Sequence, residues 1–117
     1  LPWILLDPRL MRQAILNLLL NGVQSMPDAD PTLRVHACTE TLDGDVFVRI
    51  DVVDHGPGIS PGDRARIFEP FFTTKASGTG LGLAAVKRIV SSHRGRITVD
   101  SGLSGTTFTL RFPTCPR

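Results

Sequence analysis

Residues 45–58 read DVFVRIDVVDHGPG, an alternating apolar run that ends in a turn. Val, Ile and Phe in period-two alternation predict a strand that buries one face. Asp54 closes this strand, and Gly56 and Gly58 follow it directly. A carboxylate at this point can accept a hydrogen bond from an exocyclic amine, while the glycines leave room for a flat ring. The same residues are also typical of an ordinary β-turn with an Asp cap.

The rest of the β structure follows from similar patterns. Residues 32–41 alternate in the same way, and the Leu-Asp-Gly segment at 42–44 predicts a hairpin turn into residues 45–53. Residues 96–100 and 106–112 predict two more strands around a turn bounded by glycines. We therefore expect four strands arranged as two hairpins.

Residues 7–26 predict a long helix. Asp7 can cap its N-terminus, and Pro8 suits its first position. Apolar side chains cover most of its circumference and leave one narrow polar stripe, which consists of Gln13, Asn17, Asn21 and Gln24. Because burying an unpaired amide costs a few kcal/mol, we interpret this stripe as facing a polar ligand. A solvent-exposed helix face is the alternative interpretation.

A glycine-rich segment precedes a second long helix. Residues 78–83 read GTGLGL, and residues 81–92 have helical periodicity. Glycines let backbone N–H groups approach a ligand, and a helix N-terminus attracts an anion, so the pattern indicates phosphate binding. A dinucleotide fingerprint would need a strand directly before the glycines, and a P-loop would need Gly-Lys-Ser/Thr. Lys75, in the loop after a short predicted helix at 61–68, can reach a terminal phosphate, although a lone loop lysine is usually only solvated.

Composition is that of one soluble domain. The 117 residues suit a single domain spanning 1–117, with 41% hydrophobic and 21% charged residues. A net charge of +2 without a basic cluster argues against a nucleic-acid partner. Cys38 and Cys115 lack a CxxC or Cys/His neighbour, which argues against a zinc site and a disulfide framework. We expect a cytoplasmic domain, cut from a longer protein that can itself be membrane-anchored.

Five short motifs occur in a characteristic order along the chain. They are Asn17-Leu-Leu-Leu-Asn21, Asp54-His-Gly-Pro-Gly58, Phe68-Glu-Pro-Phe-Phe72, Gly78 to Leu83, and Gly105-Thr-Thr-Phe108. In this order they resemble the N, G1, F, G2 and last glycine boxes of the ATP-binding catalytic domain of sensor histidine kinases, within the GHKL ATPase superfamily. The Phe-Thr-Thr-Lys sequence with a short lid at 73–77 is most similar to the nitrogen-regulation-type branch.

The resemblance implies the Bergerat fold, which is an α+β two-layer α/β sandwich. In it a mixed β-sheet packs against helices, with ATP between the two layers. Family members usually begin with a further helix and strand, so residues 1–6 are expected to be the tail of that strand. Phe68, Phe71 and Phe72 are expected to anchor a lid over the nucleotide. The implied cofactors are ATP and Mg²⁺.

The resemblance also implies a role for each matched residue. Asn21 is expected to coordinate Mg²⁺ with Asn17 beside it, and Asp54 is expected to read the adenine amino group. Lys75 is expected to join the two asparagines in catalysis and to contact the nucleotide. The remaining expected nucleotide contacts are Gly56, Gly58, Ile59, Phe72, Thr74, Gly78, Thr79, Gly80, Leu81, Gly82, Leu83 and Thr107, with Thr106 as the alternative to Thr107.

The implied activity is transfer of the ATP γ-phosphate to a histidine on a separate dimerising helical hairpin. Family members that hydrolyse ATP carry Glu where this chain has Asn17, and an amide cannot act as a general base. Phosphoryl transfer is therefore favoured over hydrolysis. The chain's own histidines, His36, His55 and His93, lie in a predicted strand, a turn and a helix end, so none fits the acceptor. We expect the isolated domain to bind ATP without phosphorylating itself.

The implied partners are ATP and ADP, the dimerisation and histidine-phosphotransfer domain of the same protein and, indirectly, a response regulator. We expect a monomeric isolated domain and a homodimeric full-length protein. One alternative is a serine-type protein kinase of the same fold, such as an anti-sigma factor kinase, against which the Phe-Thr-Thr-Lys sequence argues. Another is a non-catalytic nucleotide-binding or interaction module, against which the intact Asn17, Asn21, Asp54 and glycine set argues.

Overall fold

The computed structural model describes residues 2–26, 32–73 and 80–115. These residues form an alternation of helices and hairpins. The elements are α1 (Pro8–Gln24), β1 (Arg34–Leu42), β2 (Asp45–Asp54), α2 (Pro61–Arg64), α3 (Gly82–Ser92), β3 (Arg96–Gly102) and β4 (Gly105–Pro113). Each of them falls within about two residues of a predicted element, except α2, which ends four residues early because the chain turns after Arg64.

Helix α1 begins where its capping residues predict. The Asp7 carboxylate accepts hydrogen bonds from the backbone N–H groups of Arg9 and Leu10, at 2.9 and 3.3 Å. Pro8 occupies the first turn, where its missing N–H has no partner to lose. The buried face of the helix consists of Met11, Ala14, Leu18 and Gly22. This face packs the helix onto the sheet and leaves the Asn stripe to one side.

Both hairpins close through two-residue turns. Asp43 and Gly44 join β1 to β2 with φ angles of 50° and 83°. Two left-handed residues define a type I′ turn, whose twist matches that of the flanking strands, and Gly44 adopts this conformation without strain. Leu103 and Ser104 form the turn between β3 and β4. The predicted hairpins are therefore confirmed.

The strand order in the sheet is β1-β2-β4-β3. Every strand pair formed by the described residues is antiparallel, which differs from the mixed sheet expected from the sequence. The reason lies in the connection through α2 and α3, which returns the chain so that β3 runs in the same direction as β2. Because β4 lies between these two strands, their parallel orientation produces no parallel pairing.

The helices α1 and α3 cover one face of the sheet and form the second layer. The sheet buries Val52, Phe108, Leu110 and Phe112, and the helices contribute Met11, Ala14, Leu18, Val86, Ile89 and Val90. This core confirms the predicted α+β sandwich. The described helices are too short or too polar to cross a membrane.

The described residues before α1 add no strand to the sheet, contrary to the expectation for residues 1–6. Among the described residues 2–6, the carbonyl oxygen of Trp3 accepts a hydrogen bond from Cys115 N–H at 2.7 Å. This bond attaches the segment to the chain beyond β4, but a strand requires a repeated ladder of such bonds along a neighbour.

Candidate functional site

Asp54 is the last residue of β2 and is almost completely buried, with 5% of its surface exposed. Its Oδ1 accepts a hydrogen bond from Gly56 N–H at 2.9 Å, which fixes the carboxylate against the turn that follows. Helix α1 approaches this residue closely, because a Cβ added to Gly22 would lie 3.5 Å from Asp54 Cβ. Burial and orientation make Asp54 suited to recognise one hydrogen-bond donor of a ligand.

The turn after Asp54 is packed tightly from two sides. A Cβ added to Gly56 would lie 2.7 Å from Ser25 Oγ, at the end of α1. A Cβ added to Gly58 would clash with the carbonyl oxygen of Gly102, at the end of β3. Neither position has room for a side chain. The predicted glycine pair therefore allows α1 and β3 to approach the same turn.

A short hydrogen-bonded chain connects this turn to β4. The Ser101 hydroxyl accepts from Ile59 N–H at 2.7 Å, and its oxygen lies 2.8 Å from Thr106 Oγ1. Thr106 is buried and pairs with Asp54 across the sheet. Sequence reasoning missed Ser101, although its position directly before Gly102, next to the turn into β4, marks it as a neighbour of the site.

Thr107 points to the other side of the sheet from Asp54. Successive side chains of a strand alternate between its faces, and Thr107 pairs with Val53 and Asp100, whereas Thr106 pairs with Asp54. Thr107 is the expected nucleotide contact, with Thr106 as its alternative. The structure brings Thr106, and not Thr107, to the face of the sheet that carries the Asp54 carboxylate. Thr107 lines a shallow cavity at the end of the sheet, together with Val53 and Asp100.

The Asn stripe of α1 faces the start of α3. Asn17 Nδ2 donates a hydrogen bond to the carbonyl oxygen of Gly82 at 3.3 Å. Asn21 lies one turn further along the same face and is half-buried, as is Asn17, whereas Gln13 and Gln24 are exposed. The structure therefore separates the stripe into two asparagines that face the site and two glutamines at the surface.

Helix α3 begins without a side-chain cap. Leu81 is its N-cap residue and forms no side-chain cap hydrogen bond, in contrast to Asp7 in α1. A Cβ added to Gly82 would meet no described atom within 4 Å. The described residues around Gly82 would therefore leave room for a side chain at this position. An uncapped helix N-terminus beside open space is suited to hold phosphate groups. The side chain of Leu83, which is also a predicted contact, packs partly against the core.

The predicted lid anchors divide into two groups. The Phe68 ring packs edge-on against Phe108 at 6.2 Å between centroids, and the Arg66 guanidinium lies 4.5 Å above the Phe72 ring. Phe71, by contrast, is 75% exposed. Its ring therefore does not anchor the segment as expected.

Gly80 supports the base of the lid through its backbone. Its carbonyl oxygen accepts a hydrogen bond from Phe71 N–H at 2.9 Å, and a Cβ at this position would clash with the Phe71 backbone. With a φ of 76°, Gly80 adopts a conformation that side chains disfavour. Between these two positions, the predicted contacts Thr74, Lys75, Gly78 and Thr79 lie outside the described residues.

The main ionic network lies on the sheet face opposite the helices. Glu40 accepts from Arg111 Nε at 2.6 Å and from Arg49 Nη1 at 2.9 Å. The hydrogen bond from Arg111 holds the pKa of Glu40 below its usual value, although partial burial opposes this shift. Burial alone would raise the pKa of Asp51, but hydrogen bonds from Thr109 and Arg49 outweigh it and lower that pKa. This network stabilises the sheet and is separate from the site.

A cation at the site would depend on amide oxygens. Within the described parts of the chain, no group of three or more His, Cys, Asp and Glu side chains can hold a metal ion. Mg²⁺ prefers oxygen ligands and retains several waters, so it is commonly held by one or two protein oxygens and by substrate phosphates. The donor set of Asn17 and Asn21 beside an uncapped helix N-terminus fits that kind of site.

Comparison with known proteins places this arrangement in a family. Residues 6–116 match the family described as histidine kinase-, DNA gyrase B- and HSP90-like ATPases. The chain is 43% identical over 112 residues to the signal transduction histidine-protein kinase AtoS of Escherichia coli, covering 95% of the chain and 18% of that protein. It is 45% identical over 114 residues to the sensor histidine kinase ZraS of the same species, covering 97% of the chain and 23% of that protein.

A solved structure shows the same fold. Full-length ShkA in complex with AMPPNP superimposes with a TM-score of 0.75 at 37% sequence identity, and the match covers all of this chain and 24% of ShkA. The chain therefore spans less than a quarter of the length of each of these three proteins. The resemblance stated from the sequence motifs is confirmed.

Proposed function

The chain belongs to the family of histidine kinase-, DNA gyrase B- and HSP90-like ATPases, and we propose that it works as the ATP-binding catalytic domain of a sensor histidine kinase. In this function the domain transfers the γ-phosphate of ATP to a histidine of a separate dimerisation domain. The proposal rests on one observation. The hydrogen bond between Asn17 and Gly82 and the buried carboxylate of Asp54 lie on the same side of the sheet.

Asp54 is proposed to bind the adenine ring. Its buried carboxylate is oriented by Gly56 N–H and is suited to accept a hydrogen bond from the exocyclic amino group. Thr106, on the same face, replaces Thr107 as the proposed neighbour of the ring. The backbone of residues 56–59 is proposed to form the wall of the pocket next to Asp54. Gly56 packs against Ser25 and Gly58 against Gly102, and Ile59 N–H is bonded to Ser101.

The triphosphate is proposed to lie between α1 and the start of α3. Asn21, supported by Asn17, would offer an amide oxygen to Mg²⁺, and Gly82 leaves open space at the helix N-terminus. When bound, Mg²⁺ would neutralise negative charge on the phosphates during transfer. Thr74, Lys75, Gly78 and Thr79 remain predicted contacts from the lid, and Leu81 and Phe72 flank it.

The chemistry favoured by these residues is transfer to a positioned acceptor. An amide at position 17 cannot remove a proton from water, so this chain lacks a base at the position where hydrolysing relatives carry Glu. Phosphoryl transfer instead depends on positioning and charge neutralisation. Asn17 contributes to positioning, since its hydrogen bond to Gly82 sets the spacing between the two helices that are proposed to hold the phosphates.

The acceptor is proposed to belong to another domain of the same protein. His93 is held between two backbone groups, with Nε2 accepting from Asp7 N–H at 2.9 Å and Nδ1 lying 2.7 Å from the Ile89 carbonyl oxygen. His36 lies on β1 opposite Asp51, and His55 lies in the turn after Asp54. No histidine of this chain occupies a long helix with an exposed ring, as an acceptor requires.

Calorimetric titration with ATP in the presence and absence of Mg²⁺ tests the nucleotide site. We expect binding tighter than about millimolar with Mg²⁺, and weaker binding after Asn21→Ala. Gln13→Ala is the matched control, because Gln13 lies on the same helical stripe but is exposed. Absence of binding to the unmodified chain would support the alternative of a non-catalytic interaction module.

Mixing the domain with a helical-hairpin fragment that carries the acceptor histidine tests the transfer step. With radiolabelled ATP, we expect acid-labile phosphate on the hairpin fragment and none on the isolated domain. Acid-stable phosphoserine on a protein substrate would instead favour the serine-kinase alternative. The same mixture, analysed by size, tests whether the isolated domain is monomeric and the hairpin fragment dimeric.

A further inference from the structure

Ser101 connects three parts of the proposed nucleotide pocket. Its hydroxyl accepts from Ile59 N–H at 2.7 Å and lies 2.8 Å from Thr106 Oγ1. Its carbonyl oxygen accepts from Arg64 Nη2 at 2.9 Å, and the same guanidinium nitrogen lies 3.5 Å from the Ile59 carbonyl oxygen. One residue of β3 thus holds the turn after β2, helix α2 and the inward face of β4.

The packing around Ser101 leaves little room for the turn to move. Gly58 is pressed against the carbonyl oxygen of Gly102, and a Cβ there would lie 3.1 Å from Ser101 Oγ. Arg64 Nε is buried without a hydrogen-bond partner among the described residues. Burying such a donor without a partner is costly. The guanidinium is held there by the hydrogen bonds that its Nη2 donates to the carbonyl oxygens of Ser101 and Ile59.

From these contacts we propose that Ser101 is a positioning residue of the nucleotide site. It holds the backbone at Ile59 and the hydroxyl of Thr106 in a fixed relation to the Asp54 carboxylate. The inference rests on the proposed function, because it assumes that Asp54 and Thr106 face an adenine ring. It adds a residue that touches neither phosphate nor metal and acts through its neighbours.

The proton arrangement gives Ser101 an influence on base selectivity. A serine hydroxyl has one proton and two lone pairs, and Ile59 N–H uses one lone pair. Either hydroxyl can be the donor in the contact between Ser101 and Thr106. The arrangement in which Ser101 donates satisfies its proton and leaves the Thr106 proton for a ligand acceptor. An acceptor at Asp54 beside a donor at Thr106 complements adenine, whose amino group adjoins a ring nitrogen. Guanine presents the opposite order, a carbonyl oxygen beside an N–H.

Nucleotide binding to Ser101 variants tests this role. Ser101→Ala removes the hydrogen bonds of the hydroxyl to Ile59 N–H and to Thr106 Oγ1. We expect about tenfold weaker ATP binding and a smaller preference for ATP over GTP. Ser101→Thr keeps the hydroxyl and should restore both. Ser92→Ala is the control, because the Ser92 hydroxyl is also hydrogen-bonded to a backbone group, donating to the Ile89 carbonyl oxygen at 2.7 Å, but lies at the end of α3. Thr106→Val combined with Ser101→Ala should cause less than the sum of the separate losses.

Hydrogen exchange of the Ile59 amide provides a readout that needs no nucleotide. In the nucleotide-free protein we expect faster exchange of this amide in Ser101→Ala and restored protection in Ser101→Thr. Equal ATP affinity of Ser101→Ala and the unmodified chain, or an equal loss in Ser92→Ala, would overturn the positioning role. If the unmodified chain binds no ATP, the proposed function fails and the inference fails with it, even where Ile59 protection shows that the hydrogen bond exists.

Discussion

Asn17 on α1 donates its side-chain amide to the carbonyl oxygen of Gly82, the first residue of α3, at 3.3 Å. This hydrogen bond connects the helix that carries the proposed Mg²⁺ ligand to the helix that begins at the proposed phosphate site. With Nδ2 engaged, the amide oxygen remains the atom of Asn17 that suits a cation or its water. The spacing of the two helices is therefore set by a residue of the site itself.

Replacing Asn17 with Ala should weaken both stability and nucleotide binding. Loss of this half-buried hydrogen bond should lower the free energy of unfolding by about 1 kcal/mol, measured by urea denaturation. Binding of Mg²⁺ and ATP should weaken in the same variant, measured by calorimetry. Gln13→Ala should change neither quantity, since Gln13 is exposed. Unchanged affinity in Asn17→Ala would remove this residue from the site.

Asp54→Asn should weaken recognition of adenine while preserving the fold. The amide oxygen can still accept from Gly56 N–H, so the turn should keep its conformation. Loss of a charged acceptor costs about 1.5–3 kcal/mol, which corresponds to a roughly ten- to hundredfold rise in the dissociation constant for ATP. A melting temperature close to that of the unmodified chain would show that the loss is local. Wild-type affinity would contradict the adenine assignment.

Gly80, just before α3, and Gly82, its first residue, should respond differently to substitution by alanine. Gly80→Ala should lower the free energy of unfolding by about 1–2 kcal/mol, because Gly80 has a φ of 76° and its Cβ would clash with Phe71. Gly82→Ala should leave stability unchanged or raise it by up to about 1 kcal/mol, since it lies in a helix facing open space. The same variant should bind ATP about tenfold more weakly through crowding of the phosphates. Normal binding by Gly82→Ala would place the phosphates elsewhere.

Acid should destabilise the sheet through Glu40 and Asp51. Their pKa values are lowered in the folded protein, from ordinary values of 4.5 and 3.8, by hydrogen bonds from Arg111 to Glu40 and from Thr109 and Arg49 to Asp51. A lowered pKa in the folded state means stability that is present above the ordinary pKa and is lost as the pH falls through the folded value. The urea midpoint should thus be constant near neutral pH and fall below about pH 4.5.

The variant Glu40→Gln provides the control for this pH dependence. It cannot lose a proton, so its stability should be lower near neutral pH and should fall less steeply below pH 4.5 than that of the unmodified chain. Calorimetric binding of ATP should be unchanged at neutral pH, because the network lies on the sheet face away from the helices. Identical pH profiles for the two proteins would show that Glu40 contributes no pH-dependent stability.

Local chemistry made the main elements predictable from the sequence. Asp7 and Pro8 determine the start of α1, and the type I′ turn at Asp43-Gly44 determines the register of the first hairpin. Each of these features depends on residues within about four positions of each other. The order of the motifs along the chain identified the family, and the family match confirms it.

Features that depend on distant parts of the chain were not predictable in this way. The position of β4 between β2 and β3 prevents the parallel pairing that was expected, and it follows from tertiary packing alone. The choice between Thr106 and Thr107 requires the register of β4 against β2, which no local pattern fixes. Ser101 was missed because its partners, Ile59 and Thr106, lie 42 residues before it and five residues after it.

The contact between Phe71 and Gly80 has a consequence for how such domains can diverge. Their backbone hydrogen bond brings the two ends of the intervening segment together, so the chain departs from and returns to nearly the same point. The entropy of closing a loop grows only slowly with its length. An insertion, a deletion or a transplanted sequence between these two residues would therefore disturb neither the Phe68–Phe108 packing nor the start of α3. The fold contains a position where one segment can be exchanged for another while the surrounding domain keeps its structure.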